Sequence, residues 1–388
     1  MSVVDALNYP ELRAAAKTRL PRGLFEYIDR GTEGETGLGH NRQAFEQIRL
    51  KPRVLTSAPV VSTAIELFGQ PLASPIIVAP TAFAGLVWYK GEVALARAAA
   101  GAGIAFCAAT EAIMSIGEIA AQAPGKHWFQ LYLWESTELV QTLLQQVSHA
   151  GVDTLVLTVD TPVYANREFN MRNGMGMPFR HSLRGTVDAL IRPQWLVRVL
   201  GRYMVNEGAP SFANYPSAYR QNILGGGAKS RLAHVQGLSW EHVRELRRTW
   251  PGTLILKGIL RAEDAMVAAD CGVDGIVVSN HGGRNLDSAV SPMDVLGGIV
   301  DAVGDRLVVL ADSGIQRGSD IFKALALGAR AVMVGRAMLY GTAMAGEVGA
   351  RHAFELLQRE LELTMSLCGV PTVSHIGREF LHTGHDRT

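Results

Sequence analysis

The stretch GIVVSNHGGRNLD at residues 275–287 joins an apolar run to a turn of polar residues, and it is one unit of the repeat that decides the fold. Its first four residues are apolar and mostly β-branched, which predicts a buried strand. His281 and Arg284 follow where that strand ends, around two glycines that let the backbone turn sharply. A titratable base and a fixed cation three residues apart predict a site for an anionic substrate that loses a proton. A capped surface loop with a solvated arginine is the alternative for this motif alone.

The same pattern, an apolar strand followed by a helical segment, recurs from residue 76 onward. Eight strands are predicted, at 76–80, 104–109, 127–133, 154–160, 254–258, 275–279, 307–312 and 331–335. Helical patterns lie at 91–102, 115–123, 137–150, 239–250, 262–271, 292–303, 318–327 and 346–368. Continuous apolar strands are typical of a parallel sheet covered by helices, and eight such units predict a TIM (β/α)8 barrel. A doubly wound open sheet is the rival, but APTAF at 79–83 stands where its glycine-rich turn is expected.

Segments outside the repeat complete the predicted organisation. Residues 1–75 form an N-terminal helical segment with helices at 11–18 and 20–30, residues 76–369 form the barrel, and residues 370–388 form a tail. A long insertion at 163–237, after strand 4, is rich in glycine, proline and arginine and includes three glycines at 225–227. Within it, VDALIRPQWLVRVL at 187–200 mixes apolar residues with arginines. This segment either lies on an anionic membrane surface or packs over the barrel mouth with its arginines solvated.

Composition excludes several classes of protein. A net charge of +1 gives no general attraction to nucleic acid. The three cysteines, Cys107, Cys271 and Cys368, are far apart and predict small core residues in a reducing compartment, with no disulfide framework and no metal site. We find neither a signal-peptide pattern nor an apolar stretch of membrane-spanning length. We therefore expect a cytoplasmic protein, peripheral on the inner face of the membrane if the insertion binds lipid.

Candidate site residues, many of them polar, stand at or just after the ends of the predicted strands, where TIM-barrel enzymes gather their catalytic groups. They are Pro80, Thr81 and Ala82 (strand 1), Gln130 and Tyr132 (strand 3), Thr158, Asp160 and Arg167 (strand 4), Lys257 (strand 5), Ser279, His281 and Arg284 (strand 6), Asp312 and Gly314 (strand 7), and Gly335 and Arg336 (strand 8). The last two turns predict a phosphate site, because glycine turns offer backbone N–H groups and Arg336 offers a fork of donors. A surface salt bridge is the alternative for Arg336. A sugar-phosphate enzyme would use these turns but leave Lys257 and His281 without a role.

These motifs resemble the FMN-dependent 2-hydroxy-acid oxidase and dehydrogenase family, particularly its mandelate dehydrogenase branch. The matching segments are APTAFAG (79–85), WFQLY (128–132), LTVDTPV (157–163), SNHGGRNLD (279–287), SPMDVL (291–296), DSGIQRGSDIFKALALGA (312–329) and GRAMLYG (335–341). The resemblance runs from about Leu20 to about Gly369. It implies an FMN-binding barrel, assembled as a homotetramer, that oxidises an (S)-2-hydroxy acid to the 2-oxo acid.

The resemblance also implies a role for each matched residue. His281 matches the base that takes a proton from the substrate, and Asp160 matches the carboxylate that pairs with it. Tyr132 matches a tyrosine near the substrate hydroxyl, and Lys257 a cation beside the flavin N1. Tyr27, Arg167 and Arg284 match the residues that bind the substrate carboxylate. The positions that contact FMN in the family correspond here to Pro80, Thr81, Ala82, Ala109, Gln130, Thr158, Ser279, Asp312, Gly314, Gln316, Gly335 and Arg336.

Three residues depart from the family pattern. Ala109 stands where relatives have Ser or Thr, and Gln316 stands where they have an arginine on the phosphate, although Arg317 and Arg336 remain. Glu111 stands near the side-chain end of the substrate, where relatives have an apolar or small residue. We therefore expect a substrate with a hydroxyl or amino group at its distal end.

The electron acceptor is predicted from two features that point in different directions. Ala82 stands near the flavin N5, where glycolate and lactate oxidases have alanine and mandelate dehydrogenase has glycine, which favours oxygen. The segment 177–215 retains part of the membrane-associated pattern of mandelate dehydrogenase, which favours quinone. We expect an oxidase acting on an aromatic, mandelate-type acid. The alternatives are a membrane-associated mandelate or lactate dehydrogenase, an FMN barrel isomerase, and a binding protein on a decayed barrel.

Overall fold

Eight parallel strands close into a barrel in the computed structural model, which describes residues 5–56, 60–175, 183–223 and 232–382. In chain order they are β1 (Ile76–Val78), β2 (Ala105–Ala109), β3 (Lys126–Leu131), β4 (Thr154–Thr158), β5 (Thr253–Ile259), β6 (Gly275–Val278), β7 (Val308–Ala311) and β8 (Ala331–Val334). Each strand pairs with the next one along the chain, and β8 pairs with β1. This confirms the predicted TIM barrel. A closed sheet has no edge strands, so the doubly wound alternative is wrong.

Helices alternate with the strands and cover the outside of the barrel. Those predicted from the repeat are observed at Gly91–Gly101, Ile116–Gln122, Thr137–His149, Trp240–Thr249, Ala262–Asp270, Pro292–Val303 and Gly318–Ala326. Ser115 and Ser291 each begin a helix with a capping box, in which side chains satisfy the first free N–H groups. The last helix, Arg336–Leu367, begins directly after β8 and not at 346 as predicted. Its backbone is broken at Ala345 and Gly346, and the predicted helix corresponds to the part that follows this break.

The N-terminal segment contains the two predicted helices, and several further elements there and elsewhere were not predicted from the sequence. The helices span Tyr9–Arg19 and Arg22–Asp29. The unpredicted elements are a helix at Thr36–Gln47, a hairpin of Ile65–Leu67 and Gln70–Leu72, a short helix at Ala84–Val87, and an antiparallel pair of Arg49–Leu50 with Leu381–His382. Leu67 and Leu72 of the hairpin pack with side chains of the barrel interior. The hairpin therefore closes the end of the barrel opposite the strand tips.

Apolar side chains fill the barrel interior. Cys107, Trp128, Val156, Ile255 and Val277 belong to this cluster and are almost completely buried. Cys271 and Cys368 are buried outside the barrel, and all three cysteines are free thiols. The interior is therefore packed up to the carboxyl ends of the strands, and space for a ligand begins there.

The insertion packs against the barrel over part of its length. It contains the helices Leu183–Leu190, Pro193–Trp195 and Arg202–Asn206, and a π-helical turn at Leu196–Gly201. The indole Nε1 of Trp195 donates to the carbonyl of Leu86 over 2.6 Å, and Nε of Arg192 donates to the carbonyl of Leu20 over 3.1 Å. Arg192 is thus anchored, whereas Arg198 and Arg202 are exposed, as expected for solvated arginines. Residues 177–182 and the glycines at 225–227 lie outside the described residues. Across the described part of the chain, we find no helix both long and apolar enough to span a bilayer.

Candidate active site

A cavity of about 540 Å³ lies at the carboxyl ends of the strands and brings nearly all of the predicted site residues together. The predicted residues that line it are Tyr27, Pro80, Thr81, Ala82, Ala109, Glu111, Gln130, Tyr132, Thr158, Arg167, Lys257, His281, Arg284, Asp312, Gly314, Gln316, Gly335 and Arg336. Asp160 and Ser279 are the remaining two. They lie behind the cavity wall, where Asp160 contacts His281 and Ser279 contacts Lys257.

The turn after β6 holds His281 in an unusual backbone conformation. His281, Gly282 and Gly283 have φ angles of 58°, 67° and 73°, all in the left-handed region. A Cβ on Gly283 would lie 2.6 Å from the backbone N of Leu38, in the unpredicted helix Thr36–Gln47. For a histidine this conformation costs on the order of 1–2 kcal/mol, and such strain persists where packing imposes it. The helix and the two glycines therefore fix the position of the imidazole.

The imidazole of His281 pairs with the carboxylate of Asp160. Its Nδ1 lies 3.0 Å from Oδ1 and 3.2 Å from Oδ2, so Nδ1 carries the proton and Nε2 is left as the acceptor. Burial lowers the pKa of His281 below its ordinary value, and Asp160 opposes part of that effect. Asp160 fits there because β5 bulges at Gly258, where a Cβ would lie 2.5 Å from that of Asp160. A neutral imidazole with a free acceptor nitrogen is suited to take a proton.

Arg167 and Arg284 form a cationic wall beside this histidine. Arg284 Nη1 donates to the carbonyls of Tyr27 and Arg30 over 2.6 and 2.9 Å. Arg167 Nε donates to the carbonyl of Arg284 over 2.9 Å, and its Nη2 donates to Oδ1 of Asn285 over 3.0 Å. Within residues 5–56, 60–175, 183–223 and 232–382, neither arginine forms an ion pair. Burial, and then the charge of Arg167, lower the pKa of Arg284. An incoming carboxylate would supply the missing counter-charge.

Asn285 is a site residue that the sequence analysis missed, although it lies in the opening motif. Its Nδ2 donates to the backbone carbonyl of Asp160 over 2.8 Å, and its Oδ1 accepts from Arg167. It therefore connects the His281–Asp160 pair to the cationic wall. Its position directly after Arg284 is the sequence feature that could have identified Asn285 as a site residue.

Lys257 supplies a buried positive charge at the floor of the cavity. Its Nζ lies 3.0 Å from Oδ2 of Asp312 and donates to Oγ of Ser279 over 2.9 Å. Burial lowers the pKa of Lys257, but the carboxylates of Asp312 and Asp160 outweigh it and the net pKa is raised. Lys257 therefore stays cationic. Beside it, Gln130 Nε2 donates to Oγ1 of Thr158 over 3.0 Å, which presents a polar edge to the cavity.

The far end of the cavity combines a helix N-terminus with arginines. Arg336 begins the helix Arg336–Leu367 and donates from Nε to the carbonyl of Ile28 and from Nη2 to that of Gly282. Arg13 and Arg42 of the N-terminal helices also line this end, but each pairs with a carboxylate, Asp29 and Asp320 respectively. Arg317, which the sequence offered as a replacement for the missing arginine at 316, pairs instead with Glu360 outside the cavity wall. Arg336 is therefore the cation best placed for an anion here.

This donor set fits FMN. The buried Lys257 and the amide of Gln130 would donate hydrogen bonds to a flavin ring, the small side chains of Ala82 and Ala109 would leave room for it, and the helix N-terminus with Arg336 would hold the phosphate. The same cavity is lined by the base His281 and by Arg167 and Arg284, which form no ion pair with any residue that the structure describes. The fold and site together define a flavoprotein oxidoreductase whose substrate is an acid.

Comparison with known proteins identifies the family. The chain belongs to the FMN-dependent dehydrogenase family, which matches residues 16–383. It is 39% identical to (S)-mandelate dehydrogenase of Pseudomonas putida over 377 residues (97% of this chain, 94% of the relative) and 39% identical to L-lactate dehydrogenase of Caulobacter vibrioides over 374 residues (96% of each). A peroxisomal (S)-2-hydroxyacid oxidase of Arabidopsis thaliana is 35% identical over 381 residues (98% of each).

Solved structures agree with this assignment. The crystal structure of the monotopic membrane protein (S)-mandelate dehydrogenase superimposes with a TM-score of 0.89 at 38% identity, covering 98% of this chain and 100% of the other. The protein is thus an FMN-dependent oxidoreductase that acts on 2-hydroxy acids, and the resemblance noted in the sequence is confirmed.

Proposed function

We propose that this protein oxidises an (S)-2-hydroxy acid of the aromatic, mandelate type to the 2-oxo acid and passes the electrons to oxygen. The observation that carries the proposal is that His281, paired with Asp160, shares one cavity with Arg167 and Arg284. This arrangement provides a base and an anion site side by side, as oxidation of a 2-hydroxy acid requires.

Each residue has a defined task in the proposed reaction. Arg167 and Arg284 bind the substrate carboxylate and orient the carbon that bears the hydroxyl group. His281 takes a proton from the substrate, and Asp160 stabilises the imidazolium that results. Tyr132 orients the substrate hydroxyl, while Tyr27 borders the carboxylate. FMN, when bound, accepts the two electrons, and the charge of Lys257 favours the reduced flavin.

Aromatic residues near the substrate end support an aromatic substrate. Tyr27 contacts Phe83, Phe83 contacts Phe212, and Phe212 contacts Tyr215, with ring centroids 4.7, 5.1 and 5.4 Å apart. Of these four rings, Tyr27 lines the cavity together with Tyr132, while Phe83, Phe212 and Tyr215 are buried behind the wall. The phenol rings of the wall favour contact with another aromatic ring.

The choice of oxygen rests on Ala82, a small residue of the cavity wall, and on the oxidase among the relatives. The test is anaerobic reduction of the purified holoenzyme with (S)-mandelate, (S)-lactate and glycolate, followed by air. We expect (S)-mandelate to bleach the flavin fastest and air to restore the colour within the turnover time. Slow return of the colour would contradict the oxidase, and absence of bleaching by every acid would favour the isomerase or a binding protein.

A membrane-associated dehydrogenase is the second candidate, and one observation favours it. Val187, Leu190, Ile191, Val197 and Val205 of the insertion are all more than half exposed. Arg198 and Arg202 are also exposed there, and such a mixed surface suits an anionic bilayer. Co-sedimentation with anionic vesicles, compared with a Leu190→Glu/Ile191→Glu variant, tests this. Equal recovery of both proteins in the pellet would contradict a role for this surface.

A further inference from the structure

Side chains of both charges line the substrate end of the cavity. Arg167 and Arg284 supply positive charge, and Glu111, in the turn after β2, lines the same cavity together with Tyr27 and Tyr132. Burial, and then the charge of the Glu111 carboxylate, raise the pKa of Tyr27 and of Tyr132. A ligand that fills this end therefore meets both an anion site and a hydrogen-bond acceptor.

The turn that carries Glu111 is held rigidly by the insertion. Asn214 Nδ2 donates to the carbonyl of Ala109 over 3.2 Å, and its Oδ1 accepts from the backbone N of Ile116 over 2.9 Å. The backbone N of Ala213 donates to the carbonyl of Ala112 over 3.0 Å. These bonds fix the backbone on both sides of Glu111. A site with a fixed backbone discriminates between ligands better than a mobile one.

The side chain of Glu111 is oriented as well. The Tyr215 hydroxyl lies 3.4 Å from Oε1 of Glu111 and 3.2 Å from Nε2 of His234. The His234 ring stacks on Tyr132, with ring centroids 5.1 Å apart and planes inclined by 17°. Tyr215 and His234 thus link Glu111 to a tyrosine of the substrate wall. The two oxygens of a carboxylate accept several hydrogen bonds at once, so Glu111 can accept from Tyr215 and from a ligand together.

We propose that Glu111 determines substrate specificity by accepting a hydrogen bond from a hydroxyl or amino group at the distal end of an aromatic 2-hydroxy acid. This inference rests on the proposed function and names its substrate class. Tyr215 and His234 are positioning residues that act through Glu111. An aromatic ring without a donor would displace water from the carboxylate and return no hydrogen bond, which penalises binding. A 4-hydroxymandelate-type acid satisfies both the arginines and Glu111.

The test measures anaerobic flavin reduction by (S)-mandelate, (S)-4-hydroxymandelate and (S)-4-methoxymandelate. The methoxy compound keeps the ring oxygen but has a methyl group in place of the hydroxyl hydrogen, so it donates no hydrogen bond. We expect the wild-type kcat/KM for 4-hydroxymandelate to exceed that for both others by about tenfold or more, the range of a hydrogen bond to a charged group. Glu111→Gln, which keeps the size and an acceptor oxygen but removes the charge, should leave only part of that preference, and Glu111→Ala should abolish it.

Two further measurements test the role of Glu111 without a substitution at that position. Binding of benzoylformate and 4-hydroxybenzoylformate to the wild-type holoenzyme, followed by the flavin spectrum, should favour the hydroxylated acid even if a variant does not fold. Tyr215→Phe should raise KM for 4-hydroxymandelate more than for mandelate, whereas a purely structural role would change both equally.

Contradictory outcomes separate this inference from the function on which it rests. A wild-type enzyme that prefers mandelate, or an unchanged preference in Glu111→Gln, would overturn the role of Glu111 and leave the oxidation of 2-hydroxy acids intact. Failure of all three acids to bleach the flavin would instead overturn the proposed function.

Discussion

Nδ1 of His281 lies 3.0 Å from Oδ1 of Asp160, and Asn285 connects the backbone of Asp160 to the guanidinium of Arg167. The His281–Asp160 pair and the cationic wall are therefore parts of one hydrogen-bonded unit. In the proposed function, a substrate bound by its carboxylate would meet the imidazole in a fixed geometry, and fixed geometry is a large source of rate enhancement.

Replacing Asp160 with asparagine should slow flavin reduction by a 2-hydroxy acid at least tenfold, because general-base catalysis contributes about 10²–10⁴-fold and the imidazolium would lose its counter-charge. Stopped-flow absorbance under anaerobic conditions measures this. Asp301→Asn, an exposed carboxylate that pairs with Arg378, is the control and should react at the wild-type rate. Equal rates in the two variants would remove Asp160 from the mechanism.

The rise of kcat/KM with pH on the acid side of its pH profile should follow the deprotonation of His281. Burial lowers that pKa below the ordinary 6.5, so the imidazole becomes neutral at a lower pH than a free histidine. kcat/KM should therefore rise with pH through a point below 6.5 and exceed half of its plateau at pH 6.5. An inflection above pH 6.5 that disappears in His281→Asn would contradict the direction of this shift.

Arg284→Lys should weaken binding of the substrate carboxylate, because lysine keeps the charge but not the two-pronged geometry. We expect kcat/KM for a 2-hydroxy acid to fall about 10–100-fold, corresponding to a loss of about 1.5–3 kcal/mol. Steady-state kinetics measure this, and Arg261→Lys, an exposed arginine paired with Glu263, is the control. A loss of the same size in the control would point to general damage.

Arg336→Gln should lower the affinity for FMN by about tenfold or more if this guanidinium holds the phosphate. Arg317→Gln provides a close comparison, because Arg317 lies on the neighbouring turn but pairs with Glu360. Fluorescence of released FMN on dilution of the holoenzyme gives both dissociation constants. Greater loss of FMN from the Arg317 variant would place the phosphate elsewhere.

Lys257→Met should lower the midpoint potential of the bound flavin, since a buried cation stabilises the negative charge that reduction creates. Lys257→Arg keeps the charge and should restore part of the difference. A redox titration of the three holoenzymes measures it. The same midpoint potential in all three holoenzymes would show that the charge of Lys257 does not act on the flavin.

The sequence by itself determined the barrel and most of its site. Each strand of the barrel is a continuous apolar run, and this signal is local, so all eight strands were predicted in order. Residues that follow such strands must gather at one end of a closed parallel barrel. The sequence therefore predicts that His281, Arg284 and Lys257 lie close together. The structure bears out that convergence, while the individual roles stay predictions.

The tertiary structure decided what surrounds those residues. The helix Thr36–Gln47 begins after Glu35, in the left-handed region and without a side-chain cap, so no local signal marked it, yet it packs on the turn of His281. Tyr215 approaches Glu111 across 104 residues of sequence, and Arg317 turned outward to Glu360 instead of replacing the missing arginine. Contacts of this kind depend on how distant segments pack, and they set the shape and charge of the cavity that selects the substrate.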